Sequence, residues 1–379
     1  MKILIDNSGF KNRGDQLMIQ SVVEQLSARY PSAQLLVKRD AFLQNQSYCI
    51  SHKLYPFELS QSRIKTSRLY KSVVNFLLRD EWMVTPDDVD VILDCRGYHL
   101  ADWRINEQRY VDYLKAYYKR FTKRGRRLVF LPQAFGPFEN PYSRQAMQLV
   151  YSQADYIFAR EQVSLNYLKE LFPESQKIGI SPDFTCLLSP QLHPSVILPE
   201  KDYVVIIPNA KMIEQGENGM DSRYIDYLTR ITKYLRERGE KVVLLNHEGE
   251  KDERLLRTIN ANVDNKLPIL TNLSGGDIKA VIGGAKLLLS GRFHGVVSGL
   301  TQGVPTLCTG WSHKYAELMK EHACEHNILQ VDALPESITI ISDALSNPVK
   351  YASKDNRNEA IRTDVYAMWE RVFDIIDNK

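Results

Sequence analysis

The chain has 379 residues, of which 44% are apolar and 25% charged, a length that suits two domains and a composition that excludes collagen-like, disordered and low-complexity proteins. The net charge of +3 is too balanced for a nucleic-acid binder. It is unevenly spread, with 26 basic and 20 acidic side chains in residues 1–187, so an anionic partner is expected there first.

Short β-branched runs alternate with amphipathic helical patterns along the chain. The amino end, MKILIDNSGF, has only three consecutive apolar residues and is no signal-peptide core. Strands are predicted at 2–6, 34–38, 89–94, 128–132 and 156–159, with helices near 16–30, 107–123, 142–153 and 162–171. VDVILD and RLVFLP are apolar almost throughout, as parallel strands covered on both faces should be. Residues 188–200 (LSPQLHPSVILPE) carry three prolines and read as a linker. The alternation then restarts with strands at 203–208, 241–247, 286–290 and 304–308 and helices near 224–238, 252–261 and 296–302. A last helix at 356–376 is expected to cross back onto the first domain.

The fold class is therefore α/β, with two Rossmann-like domains expected to face a central cleft. The expected division is 1–187, a linker at 188–200, a second domain at 201–350, and a terminal segment at 351–379 packed on the first. Five scattered cysteines (Cys49, Cys95, Cys186, Cys308, Cys324) form no CxxC pair, against a disulfide framework or zinc ribbon. No run approaches the roughly 20 apolar residues of a membrane span. A soluble, cytoplasmic protein is the expectation.

The sharpest motif is SGRFHG at 290–295, where a buried strand meets a tight turn and a helix start. Free backbone N–H groups there favour an anion. Arg292 adds a planar fork for carboxylate or phosphate, and His294 can move a proton near neutral pH. A purely local Arg–His pairing is the alternative. Arg160 occupies a similar strand-to-helix junction in IFARE. Asp183 lies in a Ser-Pro-Asp turn before the linker, and Asp15 lies in an NRGDQ turn where it could equally be a helix cap. Strand exits at Arg96–His99 and at Gln133 are polar and aromatic, suited to carbohydrate. A further exit carries Trp311, His313 and Lys314.

Other signals carry less. His322, Cys324 and His326 splay around one helix-like stretch rather than converging on a metal. Asp88-Val89-Asp90 precedes its strand, at the wrong end of a sheet for a ligand. Ser274–Asp277 reads as a capping box. Basic and apolar residues interleave over 63–79, which fits either a core-packed helix, the favoured reading, or peripheral contact with an anionic membrane.

With LSGRFHGVVSGLTQGVP followed by HKYAEL, and with IFAREQVSL, PQAFGPF, PDFTCLL and NRGDQLM in the family's order, the chain resembles the polysaccharide pyruvyl transferase family. The resemblance implies a GT-B-like fold of two domains, with the acceptor on the amino-terminal side and the donor on the carboxyl-terminal side. It implies transfer of the enolpyruvyl unit of phosphoenolpyruvate onto two sugar hydroxyls, giving a cyclic ketal with phosphate release and no cofactor. Arg160 and Arg292 would hold the donor and His294 would act as acid and base. Phe293, which stands where the family often has Leu, joins Gly295, Asp15, Arg96, His99, Gln133, Asp183, His313 and Lys314 as candidate substrate-binding residues. The implied acceptor is a galactose-containing capsular or exopolysaccharide precursor, soluble or lipid-linked. Two rivals share the architecture: a glycosyltransferase using a sugar nucleotide, and a non-catalytic glycan-binding assembly subunit.

Overall fold

A computed structural model describes residues 1–58, 84, 86–121, 124–198, 201–214, 220–263, 267–310 and 312–378. The basic segment 63–79 and Trp311 lie outside the described residues. The chain divides into two compact units. One comprises Met1–Phe10, Met18–Phe184 and Asp364–Lys379, the other Lys11–Leu17 and Thr185–Thr363.

The first unit is built on strands β1 (Lys2–Asp6), β2 (Gln34–Lys38), β3 (Leu54–Phe57), β4 (Val91–Asp94), β5 (Arg127–Gln133), β6 (Tyr156–Ala159) and β7 (Ile178–Ile180). The sheet order is β3-β2-β1-β4-β5-β6-β7, and the pairs are parallel. Its helices are α1 (Arg13–Arg29), α2 (Arg39–Gln44), α3 (Gln46–Ser51), α4 (Gln108–Tyr118), α5 (Pro141–Gln153) and α6 (Gln162–Leu171), although the first turn of α1 groups with the second unit. All of β4 and most of β5 are buried, which explains their unbroken apolar runs. β3 and β7, at the sheet edges, are short and partly exposed, and neither has the apolar run that marks a strand in sequence.

The second unit repeats the plan with β8 (Tyr203–Ile207), β9 (Lys241–Leu245), β10 (Ile269–Leu270), β11 (Leu287–Ser290) and β12 (Thr306–Cys308). The order is β10-β9-β8-β11-β12, again parallel. Helices α7 (Lys211–Glu214), α8 (Met220–Glu237), α9 (Gly249–Ala261), α10 (Gly275–Gly283), α11 (Phe293–Thr301), α12 (His313–Glu321), α13 (Leu334–Ser346) and α14 (Pro348–Tyr351) accompany them. Alternate residues of β8 feed different cores: Val204 and Ile206 pack with α8 and α9, while Tyr203, Val205 and Ile207 pack with α10.

The proline-rich segment is not a free linker. The amide of Gln191 donates to the Gly276 carbonyl, and that of His193 donates to Asp277 at 2.7 Å, both at the start of α10. The division between units accordingly falls between Phe184 and Thr185. Helix α15 (Asp355–Asp377) contributes to both units. Its first part is tied to the second unit by Asn358 and Arg362, which donate to the carbonyls of Leu300 and Thr301. From Asp364 onward it joins the first, with Trp369 fully buried beside Phe184 and Asp377 paired to Arg29. The crossing back thus involves 364–379 rather than the whole of 351–379.

Candidate active site

In an open parallel sheet, ligands settle at the carboxyl ends of strands where the order reverses. Each unit has one such point, between β1 and β4 in the first and between β8 and β11 in the second.

At the second, β11 ends at Ser290 and α11 begins at Phe293. The intervening turn is locked. Asn209 and Tyr315 both donate to the Gly291 carbonyl, at 2.6 and 2.8 Å. The Arg292 amide donates to Ser290 Oγ at 3.0 Å. A side chain at Gly291 would meet the Tyr224 hydroxyl at 2.8 Å, and one at Gly295 would meet Ser290 Oγ at 2.6 Å, so both close approaches require glycine. The N-cap, Arg292, makes no side-chain cap hydrogen bond, and the helix start carries the positive end of the dipole.

Arg292 is buried and already engaged. Its Nε and Nη2 donate to Asp252 at 2.7 and 2.5 Å, and its Nη1 pairs with Glu248. Burial works against either charge alone, pushing the Asp252 carboxyl up and the Arg292 guanidinium down. The parallel hydrogen bonds of the bidentate pair hold both in the charged form. Asp252 is completely buried, whereas Glu248 is about one-third exposed and accepts at its other oxygen from Asn12 at 3.0 Å. The Glu248 side of the guanidinium is therefore the more accessible one. Glu248, Asn12 and Arg292 help line a cavity of about 450 Å³, with Lys11, Lys211, Lys251 and Arg254 among the other lining residues.

His294 occupies the first turn of α11. Its ring lies edge-to-face with Phe293, at 5.5 Å between centroids, and Phe293 is in turn edge-to-face with Tyr315. Gly14, in the first turn of α1, approaches so closely that a Cβ there would stand 2.2 Å from His294 Nδ1. The cap of α1 is Asn12, whose Oδ1 accepts from the amides of Gly14 and Asp15. Asp15 is therefore not the cap, and burial raises its carboxyl to about 7. Lys314 lies 5.4 Å above the Phe293 ring, and His313 opens α12. The second unit thus gathers Arg292, Phe293, His294, Gly295, His313, Lys314 and Asp15.

The other expected residues belong to the first unit. Arg160 and Asp183, both 5% exposed, pair at 3.3 Å. Arg96 is buried and bidentate to Asp94, so its guanidinium is a structural partner and not an open binding group. Gln133 is fully buried and its Nε2 points to Asp94 at 3.4 Å. His99 remains exposed near Trp103.

Sequence reasoning missed Asp252, Glu248 and His247. The first two sit in an ordinary-looking helix start, and His247 ends the strand KVVLLNH with no motif around it. No cluster of His, Cys, Asp or Glu among the described residues could hold a metal ion. His322 and His326 bond separately to Ser353 and the Lys350 carbonyl, Asp90 accepts from the Lys2 amide at the amino end of β1, and Ser274 with Asp277 forms the expected capping box.

A strand-exit Arg-x-His before a helix recurs in many proteins, so the decisive observation is the whole-chain pattern. The sequence model for "Polysaccharide pyruvyl transferase" matches residues 12–313. The chain belongs to the polysaccharide pyruvyl transferase family. It is therefore an enzyme of a transferase family, and the match encloses both switch points except β1. No curated protein matches the sequence. Among solved structures, this polysaccharide pyruvyl transferase family member is similar to a UDP-GlcNAc 2-epimerase from Neisseria meningitidis bound to UDP-GlcNAc. That pair has a TM-score of 0.62 and 12% identity, covering 98% of this chain and 100% of the other. An Anabaena protein, Alr3699/HepE, in complex with UDP and glucose, gives 0.59 and 12%, with coverage of 100% and 99%. The UDP-GlcNAc 2-epimerase of Methanocaldococcus jannaschii, in complex with UDP-GlcNAc and UDP, gives 0.56 and 12%, with 97% and 99%. At such identities the likeness establishes the GT-B-like fold alone.

Proposed function

We propose that the protein transfers the enolpyruvyl group of phosphoenolpyruvate to two hydroxyls of one sugar, a 4,6-ketal on galactose being the favoured product. The observation that carries this is Arg292 and His294 at the carboxyl end of β11 and the start of α11, in a member of this family. Protonation of the donor's methylene carbon makes C2 electrophilic, and the first hydroxyl oxygen adds there. The C2–O bond to phosphate breaks, and the second hydroxyl closes the ring on C2. One hydroxyl proton ends in the new methyl group and the other on the released phosphate. His294 is assigned the first transfer, which general acid catalysis accelerates by about 10²–10⁴. Arg292 and the α11 N–H groups stabilise the developing charge on the departing phosphate. Arg160 is proposed as a second donor-binding cation, and the first unit is assigned the acceptor.

The acceptor is proposed to be a capsular or exopolysaccharide precursor. The basic and apolar residues of 63–79 are the reason to test a lipid-linked one beside a soluble one: if the segment meets a membrane surface, removing its basic residues should weaken action on a lipid-linked acceptor and spare a soluble one. No helix among the described residues is long and apolar enough to cross a membrane. The test of the reaction is incubation with phosphoenolpyruvate and galactosides, following phosphate release and acceptor mass. Near-normal turnover by both His294→Ala and Arg292→Ala would overturn the residue assignment. The fold likeness to proteins solved with UDP-sugars supports a second reading, a sugar-nucleotide glycosyltransferase, which a strict sugar-nucleotide requirement would favour.

A further inference from the structure

His247 follows β9 at the carboxyl end of the second sheet. It is 3% exposed, and neither ring nitrogen has a hydrogen-bond partner among the described residues. Its Cδ2 lies 3.6 Å from where a Gly295 Cβ would stand, so the ring packs against the first turn of α11. The N-cap of that helix, Arg292, makes no side-chain cap hydrogen bond. Leaving a buried polar group unsatisfied is unfavourable, and a ligand contact would recover that loss. Burial first, then the charges of Arg292, His294 and Arg13, hold the imidazole well below its ordinary pKa. A neutral imidazole presents one N–H donor and one acceptor.

We propose that His247 is a further substrate-binding residue, a neutral imidazole that donates a hydrogen bond to an anionic oxygen of phosphoenolpyruvate at the start of α11. The inference rests on the donor assigned under the proposed function. Its contribution is geometric and adds no charge, which separates it from Arg292. A hydrogen bond to a charged oxygen corresponds to roughly 10–100-fold in affinity.

The test compares full-length wild type, His247→Leu and His247→Asn by KM for phosphoenolpyruvate and by kcat. His247→Leu should raise KM about 10–100-fold with kcat within about threefold, and His247→Asn, whose amide can still donate, should recover part of the loss. An unchanged KM in folded His247→Leu, or no recovery in His247→Asn, overturns the proposal. A second measurement needs no variant to fold well. In wild type labelled with ¹⁵N-histidine, phosphoenolpyruvate added without acceptor should shift the ring nitrogen signals of His247. Binding of phosphoenolpyruvate without that shift overturns the role of His247 alone. Absence of both binding and phosphate release in wild type overturns the donor assignment together with it.

Discussion

The two switch points are built alike and finished differently. Between β1 and β4 the carboxylates of Asp6 and Asp94 are engaged by neighbouring donors, although Gln133 Oε1 and the Tyr118 hydroxyl are buried without a partner among the described residues. Lys38 pairs with Asp6 at 2.8 Å, Tyr117 donates to the same carboxylate at 2.5 Å, and Asn7 bridges Asp6 and Asp94. Burial alone would raise the Asp6 carboxyl, but Lys38 and the hydrogen bonds from Lys38 and Tyr117 outweigh it and hold it below the usual range. Arg96 closes on Asp94. Asn7 adopts φ of 57°, a left-handed conformation that asparagine tolerates and that aims its amide at both carboxylates. Between β8 and β11 the pairing is incomplete. Arg292 holds one carboxylate, Glu248, that is part-exposed, the Arg292 side chain does not cap α11, and both ring nitrogens of His247 are without a partner among the described residues. A closed buried network specifies structure, whereas one with open valences is where a ligand completes the bonding.

That contrast can be broken at both ends. His294→Asn should give the largest effect, lowering kcat for phosphate release by about 10²–10⁴ while leaving the melting temperature unchanged. A kcat within tenfold of wild type would remove the second switch point from the chemistry. Asp94→Ala leaves Arg96 buried without its partner, and should cost about 3–5 kcal/mol in urea unfolding. A loss below about 1 kcal/mol would show that the first network is not structural. Gly14→Ala places a Cβ against His294, and should lower kcat by roughly tenfold to 10² with little change in stability, because misplacing a reacting group is costly even when the fold survives. Wild-type kcat in that variant would mean the ring does not need its observed position.

The smallest expected effect concerns pH. Burial raises Asp15 to about 7, above an unfolded value of about 4. The folded chain then binds more protons than the unfolded chain between those values, so this group's contribution to stability is fully present below pH 4. It is lost as pH rises to about 7. Unfolding curves across that window should show a decline that Asp15→Asn flattens, and identical slopes in the two proteins would contradict it.

Much of the fold was legible in the sequence because buried parallel strands must be apolar on both faces. VDVILD and RLVFLP therefore announced β4 and β5, and alternation with helical periods implied the rest. Edge strands β3, β7 and β10 escaped, since short half-exposed strands lack a periodic apolar run. Arg292 and His294 were readable because strand, glycine turn and helix are contiguous. Their partners were not, because Asp252, Glu248 and His247 lie some 40 residues away and nothing local marks them.

Sequence by itself thus determined the doubly wound α/β plan, the family, and the Arg-x-His at the end of β11. Only the tertiary structure decided that Arg96 is consumed by Asp94 while one of the two carboxylates on Arg292, Glu248, stays part-exposed. Local chemistry names an arginine in both cases. Which carboxylates the folded chain brings against it, and how deeply they are buried, decides whether it still has hydrogen bonds to give.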